Sequence, residues 1–235
     1  MANRTAVILG ASGSVGQALL SEVLRCGGFR RIITIARRPL NLQMGVQVEE
    51  LLVPDMNPNK LTQAVIDELR DLSGDVFGFS VLGVGADTAK LSLKEHRAVD
   101  VELNAAFARG LKASGKVQHL FFMSALGADL NAQTTGSGAA GTARYAHIKG
   151  EAESAVRYQG PSVVSIFRPS VILGSKHTPW LLSVVVRLLA RFTPAKFRSI
   201  RTTEIAQAMV ASALHPPGQS AVYHYTEMMA LIANR

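Results

Sequence analysis

Thr5-Ala-Val-Ile-Leu-Gly10-Ala-Ser-Gly-Ser-Val-Gly16 is the stretch that decides the fold. Thr5 to Leu9 is an apolar run, the mark of a strand buried on both faces. Val15 to Arg25 then has helical periodicity, with Leu19, Leu20, Val23 and Leu24 on one stripe. Between them stand Gly10, Gly13 and Gly16. Glycines at that spacing, after a buried strand and opening a helix, permit a tight turn. They also let the backbone approach a pyrophosphate, whose charge then lies at a helix N-terminus. The hydroxyls of Ser12 and Ser14 add further contacts. The competing reading is an ordinary strand-to-helix turn.

The same alternation continues outward. Arg31 to Ala36 reads as a second buried strand, Val46 to Val53 as a third, Val76 to Leu82 as a fourth, His119 to Met123 as a fifth and Ser162 to Arg168 as a sixth. Helical patterns fill Leu61 to Leu72, Leu93 to Ser114 and Arg144 to Tyr158. Strand and helix in turn predict an α/β domain, a single Rossmann-type doubly wound parallel sheet with helices on both faces. No linker or repeat divides residues 1–235, so one domain is expected, with its substrate-side elements mainly in 125–143 and 172–235. Gly127 to Thr142 breaks the pattern: it holds four glycines and many Ala, Ser and Thr residues. It reads as a lid or as a loose surface loop. Trp180 to Phe192 reads as an apolar helix with Ser183, Arg187 and Arg191 on one stripe. Such a helix calls for burial against the sheet edge, a pocket or a second subunit, or else for a membrane surface.

A chain of 235 residues, 48% hydrophobic, can bury a sizeable core. Its formal charge of +8 is concentrated in two acid-free stretches, Arg25 to Arg38 and Arg187 to Arg201. Basic patches suit a solvated face, a membrane surface or a phosphorylated ligand. No nucleic-acid-binding pattern accompanies them, and nucleic acid is not expected as a partner. One cysteine, Cys26, permits no internal disulfide and points to a reducing compartment. The chain enters a strand at once, leaving no room for a signal peptide, and no apolar run is long enough to span a membrane. A cytoplasmic location is expected. The six histidines lack metal-ligand spacing, and no metal site is expected. No G-x-S-x-G elbow is present, against an α/β-hydrolase.

The chemistry lies at the strand ends. NAD-binding domains place an acid at the end of the second strand; here Ala36-Arg37-Arg38-Pro39 offers two guanidinium groups instead. Those suit a ribose 2′-phosphate, and so NADP(H), unless the pair merely belongs to the basic face. Asp55 after the third strand could contact an adenine edge or cap the next element. Leu82-Gly83-Val84-Gly85 closes the fourth strand, and Arg168-Pro169-Ser170-Val171 the sixth, on the carboxyl edge where open α/β sheets bind ligands. Tyr145-Ala-His-Ile-Lys149 places a phenol and an ammonium one helical turn apart. A free phenol is only about 0.1% ionised at neutral pH. A cation ~4 Å away contributes ~4 kcal/mol at an effective dielectric of ~20, at most about three pKa units. Such a phenol can exchange a proton with a carbonyl or alcohol. A nucleotide loop with a tuned acid/base is the layout of a nicotinamide-dependent oxidoreductase.

The blocks GASGSVG, IARRPL, VLGVGAD, FFMSALGAD, YAHIKGEAE and FRPSVILG, in this order, resemble an atypical short-chain dehydrogenase/reductase. They are most similar to the Tat-interacting-protein-type oxidoreductases, which bind NADPH. The resemblance runs from Val7 to about Leu181. It implies Tyr145 as acid/base, Lys149 as the residue that lowers its pKa and holds the ribose, and Ser124 as the one that orients the substrate carbonyl. It places Ser12, Gly13, Ser14 and Val15 at the pyrophosphate and Arg37 and Arg38 at the 2′-phosphate. Leu82 and Gly83 would line the cofactor, and Pro169, Ser170, Val171 and Ile172 would flank the nicotinamide. The segment between Ser124 and Tyr145 is longer than in that branch. The expected activity is NADP(H)-dependent hydride transfer to or from a carbonyl or alcohol. The rival is an NADPH-binding regulator with a protein partner; a homodimer is a further expected assembly.

Overall fold

The computed structural model describes residues 3–40, 48–173 and 197–234. The strands are β1 (Arg4–Leu9), β2 (Arg31–Ala36), β3 (Val48–Leu52), β4 (Asp75–Ser80), β5 (Val117–Met123), β6 (Val163–Phe167), β7 (Ile172–Leu173), β8 (Ile200–Arg201) and β9 (Ala221–Tyr223). Seven of them form one sheet in the order β3-β2-β1-β4-β5-β6-β9, and every pairing in it is parallel. The short strands β7 and β8 form a small parallel pair apart from it. The helices are α1 (Ser14–Cys26), α2 (Pro58–Leu69), α3 (Leu93–Arg97), α4 (Asn104–Ala113), α5 (Ala143–Gln159), α6 (Thr202–Leu214) and α7 (Tyr225–Ala233).

Side-chain alternation along the strands feeds two cores. Val7, Leu9, Ile33, Ile35, Leu120 and Phe122 face α2, α4 and α5 through Leu61, Val65, Phe107, Leu111, Ile148 and Val156. Ala6, Ile8, Ile32, Phe79, Phe121 and Phe167 face α1, α6 and α7 through Leu19, Leu20, Val23, Ile205, Met209 and Met228. Helices therefore cover both faces of a doubly wound sheet, as the alternation predicts.

The differences from the sequence reading have local causes. The expected helix Leu61 to Leu72 begins earlier, because Asn57 caps it by accepting from the amides of Asn59 and Lys60, with Pro58 in the first turn. The expected single helix from Leu93 to Ser114 is helical throughout but not uniform. Ser92 and Glu95 form a capping box on α3, and a π turn at Ala98–Leu103 joins it to α4. The expected Trp180 to Phe192 helix lies outside the described residues.

Candidate active site

Strand order reverses between β1 and β4, and the loops leaving these two strands at their carboxyl ends form the crevice where such sheets bind ligands. Gly10 has φ +91, a left-handed conformation that a side chain resists, and a Cβ there would lie 2.7 Å from the Leu82 amide nitrogen. At Gly16 a Cβ would lie 2.0 Å from the Gly10 carbonyl oxygen. The turn therefore closes tightly on itself and against the loop after β4. Gly13 caps α1 without a side-chain hydrogen bond, and the first turn of the helix carries no acid. Its amides and positive dipole end remain suited to a phosphate. Ser12 is exposed beside them, and Val15 is buried under the turn.

Arg37 and Arg38 follow β2 and are exposed; among the described residues neither guanidinium forms a hydrogen bond or ion pair. Asp55 is exposed and paired with Lys60, and Asn57 rather than Asp55 caps α2. Leu82, Gly83 and Val84 follow β4, where Asn104 Nδ2 donates to the Leu82 carbonyl at 3.3 Å.

Ser124 follows β5 directly, held by its N–H to the Phe167 carbonyl at 2.8 Å. Its hydroxyl is buried and has no hydrogen-bond partner among the described residues. A buried hydroxyl left unpaired is costly in a structural role and suited to receiving a ligand atom. Pro169 is fixed through its carbonyl, which accepts from Leu126 N–H at 2.8 Å. Ser170 donates to the Arg198 carbonyl, Val171 is exposed, and Ile172 pairs into β7–β8. Arg168 is held to Glu153 of α5 by two bonds of 2.8 and 2.7 Å, which ties the end of β6 to the helix that carries the tyrosine.

Tyr145 lies in the first turn of α5, and Lys149 one turn on. Lys149 is buried, with Nζ 5.7 Å from the Tyr145 ring centroid. Burial alone lowers its pKa, but Asp100, to which Nζ donates at 2.5 Å, reverses this and holds the ammonium above the ordinary lysine range. Asp100 in turn is held below the usual carboxylate range: burial opposes this, and Lys149, His96 and the Val84 amide outweigh it.

Asp100, His96 and Asn104 escaped the sequence reading. Their spacing of four puts the three on one face of the helix, but among so many charged neighbours nothing marks that face as the inward one.

The segment from Gly127 to Thr142 is stitched together and to α5 by polar bonds. Asp129 N–H donates to the Ala146 carbonyl at 2.9 Å, and Thr142 Oγ1 to the Ser137 carbonyl at 2.7 Å. The Arg144 guanidinium spans to the carbonyls of Gly136 and Leu91. Elsewhere, a hollow of about 460 Å³ lies between α4 and α5, lined by residues such as Arg97, Val101 and Tyr158. Among the described residues no cluster could hold a metal ion, and no helix is long and apolar enough to cross a membrane.

Together the sheet order and the glycine turn define a Rossmann-like doubly wound fold. No protein-family profile matches the chain. Among curated proteins it is similar to "Protein HTATIP2" of Rattus norvegicus, 30% identical over 174 residues, which is 74% of this chain and 64% of that protein. The match thus spans less than two thirds of the relative's length. The resemblance to the Tat-interacting type, read from the motifs, holds. Among solved structures the chain is similar to MoeE5 in complex with UDP-glucose and NAD, at TM-score 0.65 and 16% identity over 98% of this chain and 81% of the other. It is similar also to a short-chain dehydrogenase from Burkholderia cenocepacia J2315 in complex with NADP, at TM-score 0.61 and 15% identity over 97% and 91%.

Proposed function

We propose that the protein is an NADP(H)-dependent oxidoreductase that reduces a carbonyl or oxidises the corresponding alcohol, with Tyr145 as acid/base. The observation that carries this reading is the buried, charged Lys149 one turn from Tyr145, on the carboxyl side of a sheet whose first loop is built for a pyrophosphate. The solved structures with this fold include complexes with NAD and with NADP, which supports a nicotinamide cofactor. The donor set fits that group: the glycine turn at the positive end of α1, and two guanidinium groups after β2 and a Ser124 hydroxyl that have no partner among the described residues.

The Gly10–Gly16 turn and the α1 dipole hold the diphosphate, while Arg37 and Arg38 hold the 2′-phosphate. Lys149 holds the ribose and sets its charge beside the Tyr145 ring. Ser124 donates to the substrate oxygen and orients it. When bound, the nicotinamide supplies or accepts the hydride. Tyr145 delivers its proton to the developing alkoxide oxygen in reduction and withdraws it in oxidation. Asp55, Val84, and Pro169 through Ile172 border the cofactor crevice.

The test is Tyr145→Phe, which removes one oxygen and keeps the ring. Turnover of NADPH against a panel of aldehydes, ketones and quinones is expected to fall by about 10²–10⁴-fold, while NADPH binding persists. A wild type that binds NADPH and turns over nothing favours the regulator reading. An active wild type with an equally active variant removes Tyr145 from the mechanism.

A further inference from the structure

The stretch from Leu130 to Thr142 carries no charged residue and one large apolar side chain, Leu130, which is exposed. Apolar burial therefore cannot order it. It is nonetheless fastened at both ends. At the first, Asp129 N–H donates to the Ala146 carbonyl, and the backbone of Asp129 and Leu130 crosses α5 so closely that Gly150 has no room for a Cβ. At the second stands Arg144, the residue before Tyr145. Its Nη1 donates to the Gly136 carbonyl at 3.2 Å and its Nη2 to the Leu91 carbonyl. Gly138 is buried between that guanidinium and the turn Gly85–Lys90, which follows β4. A Cβ on Gly138 would lie 2.5 Å from Arg144 Nη2 and 2.6 Å from the Thr88 carbonyl oxygen.

The strands β4 and β5 are neighbours in the sheet, and their carboxyl ends lead into Leu82–Val84 and Ser124. Segments that leave neighbouring strand ends and meet again form an arch beside the crevice between them. We propose that Arg144 is a specificity-determining residue of this site. Its guanidinium holds residues 136–138 against the turn after β4 and so fixes one wall of the substrate pocket beside Tyr145. A wall held in this way favours carbonyl substrates that are slender on that side over bulky ones. The proposal rests on the reading of Tyr145 as the acid/base. A guanidinium suits the task, because its planar fork reaches carbonyls of two separate segments at once, where an ammonium is a single point. The Arg144 Nε is buried and has no partner among the described residues. A buried donor left unmet costs stability, so a clasp that served stability alone would be poorly made. With so few apolar contacts in the strap, loss of this one side chain is enough to release it.

Arg144→Met keeps the apolar stem and removes the donors. Gly138→Ala pushes the strap off the turn without touching Arg144, and it serves alone should the first variant not fold. Hydrogen exchange of the ligand-free protein reads the clasp. The amides of Leu91, Ala139 and Thr142, each hydrogen-bonded in this structure, are expected to exchange at least about tenfold faster in both variants. The Asp129 amide, docked on α5, is expected to hold. Unchanged exchange at all three amides overturns the clasp. NADPH-dependent reduction of propanal and of naphthaldehyde reads the wall. The ratio of kcat/KM for the bulky aldehyde over the small one is expected to rise about tenfold or more, chiefly through KM. A released strap with an unchanged ratio leaves Arg144 a structural clasp and overturns the proposal. Should the wild type bind NADPH and reduce neither aldehyde, acrylamide quenching of the bound NADPH fluorescence decides: it is expected to rise in both variants, and equal quenching overturns the wall. A wild type that does not bind NADPH sinks the oxidoreductase reading and the pocket role with it, while hydrogen exchange still decides the clasp.

Discussion

Arg37 and Arg38 show what one residue can and cannot reveal about cofactor choice. Their position after β2 and their lack of partners among the described residues suit a phosphate. Each charge-assisted bond to a phosphate is worth about 1.5–3 kcal/mol. Arg37→Ala with Arg38→Ala is therefore expected to weaken NADPH binding roughly tenfold to hundredfold for each guanidinium removed and to leave NADH nearly unaffected. Cofactor titration on wild type and double variant checks this; an equal drop for both cofactors assigns the arginines to the basic face alone. At this scale the sequence was informative where a residue type and a strand end coincide, as at Gly10 after β1 and Ser124 after β5. It was silent on Asp100, because an acid within a helix reads as solvated until the packing shows which face is covered.

Between β5 and β6 the pairing carries its own pH response. His119 is buried, shares a hydrogen bond of 2.8 Å with Ser165 Oγ, and stacks on Phe121 with centroids 4.1 Å apart. Burial pushes its pKa down to about 4, from an ordinary value near 6.5. The folded protein therefore binds fewer protons here than the unfolded chain does. The contribution of the neutral ring is complete above pH ~6.5 and is lost as pH falls through about 4. The shift corresponds to a stability on the order of 3 kcal/mol. Urea unfolding at about pH 7 and pH 4.5 is expected to show a smaller acid loss in His119→Gln than in the wild type; equal losses would acquit His119. Element type and order were legible because buried parallel strands are continuously apolar and their helices are amphipathic. The start of α2 and the π turn were not, since caps and turn geometry override periodicity locally.

At the scale of the molecule, the sheet and its doubly wound helices followed from the alternation up to β6. The strand β9 was not legible: three residues, half-buried at the sheet edge, carry too little pattern. The helices α6 and α7 escaped for a different reason, as their nearly all-apolar sequences show no amphipathic stripe to count. Yet α6 is what α1 packs against. Leu19, Leu20 and Val23 share a core with Ile205 and Met209, and a Cβ on Gly28 would lie 2.5 Å from the Leu214 side chain. Each such side chain contributes about 1.5–3 kcal/mol by its burial. This placement sets a timetable. The glycine turn is synthesised well before Thr202 to Leu214, so the helix that anchors it stays uncovered on one side until that segment has left the ribosome. On the proposed reading, nucleotide binding is therefore acquired late and all at once. A chain ended at Arg201 keeps every motif residue from Gly10 to Ile172 and is expected to bind no NADPH. Adding residues 202–235 as a separate peptide is expected to restore binding in part, and a truncated chain that binds NADPH as the full one does would show that α1 needs no late partner.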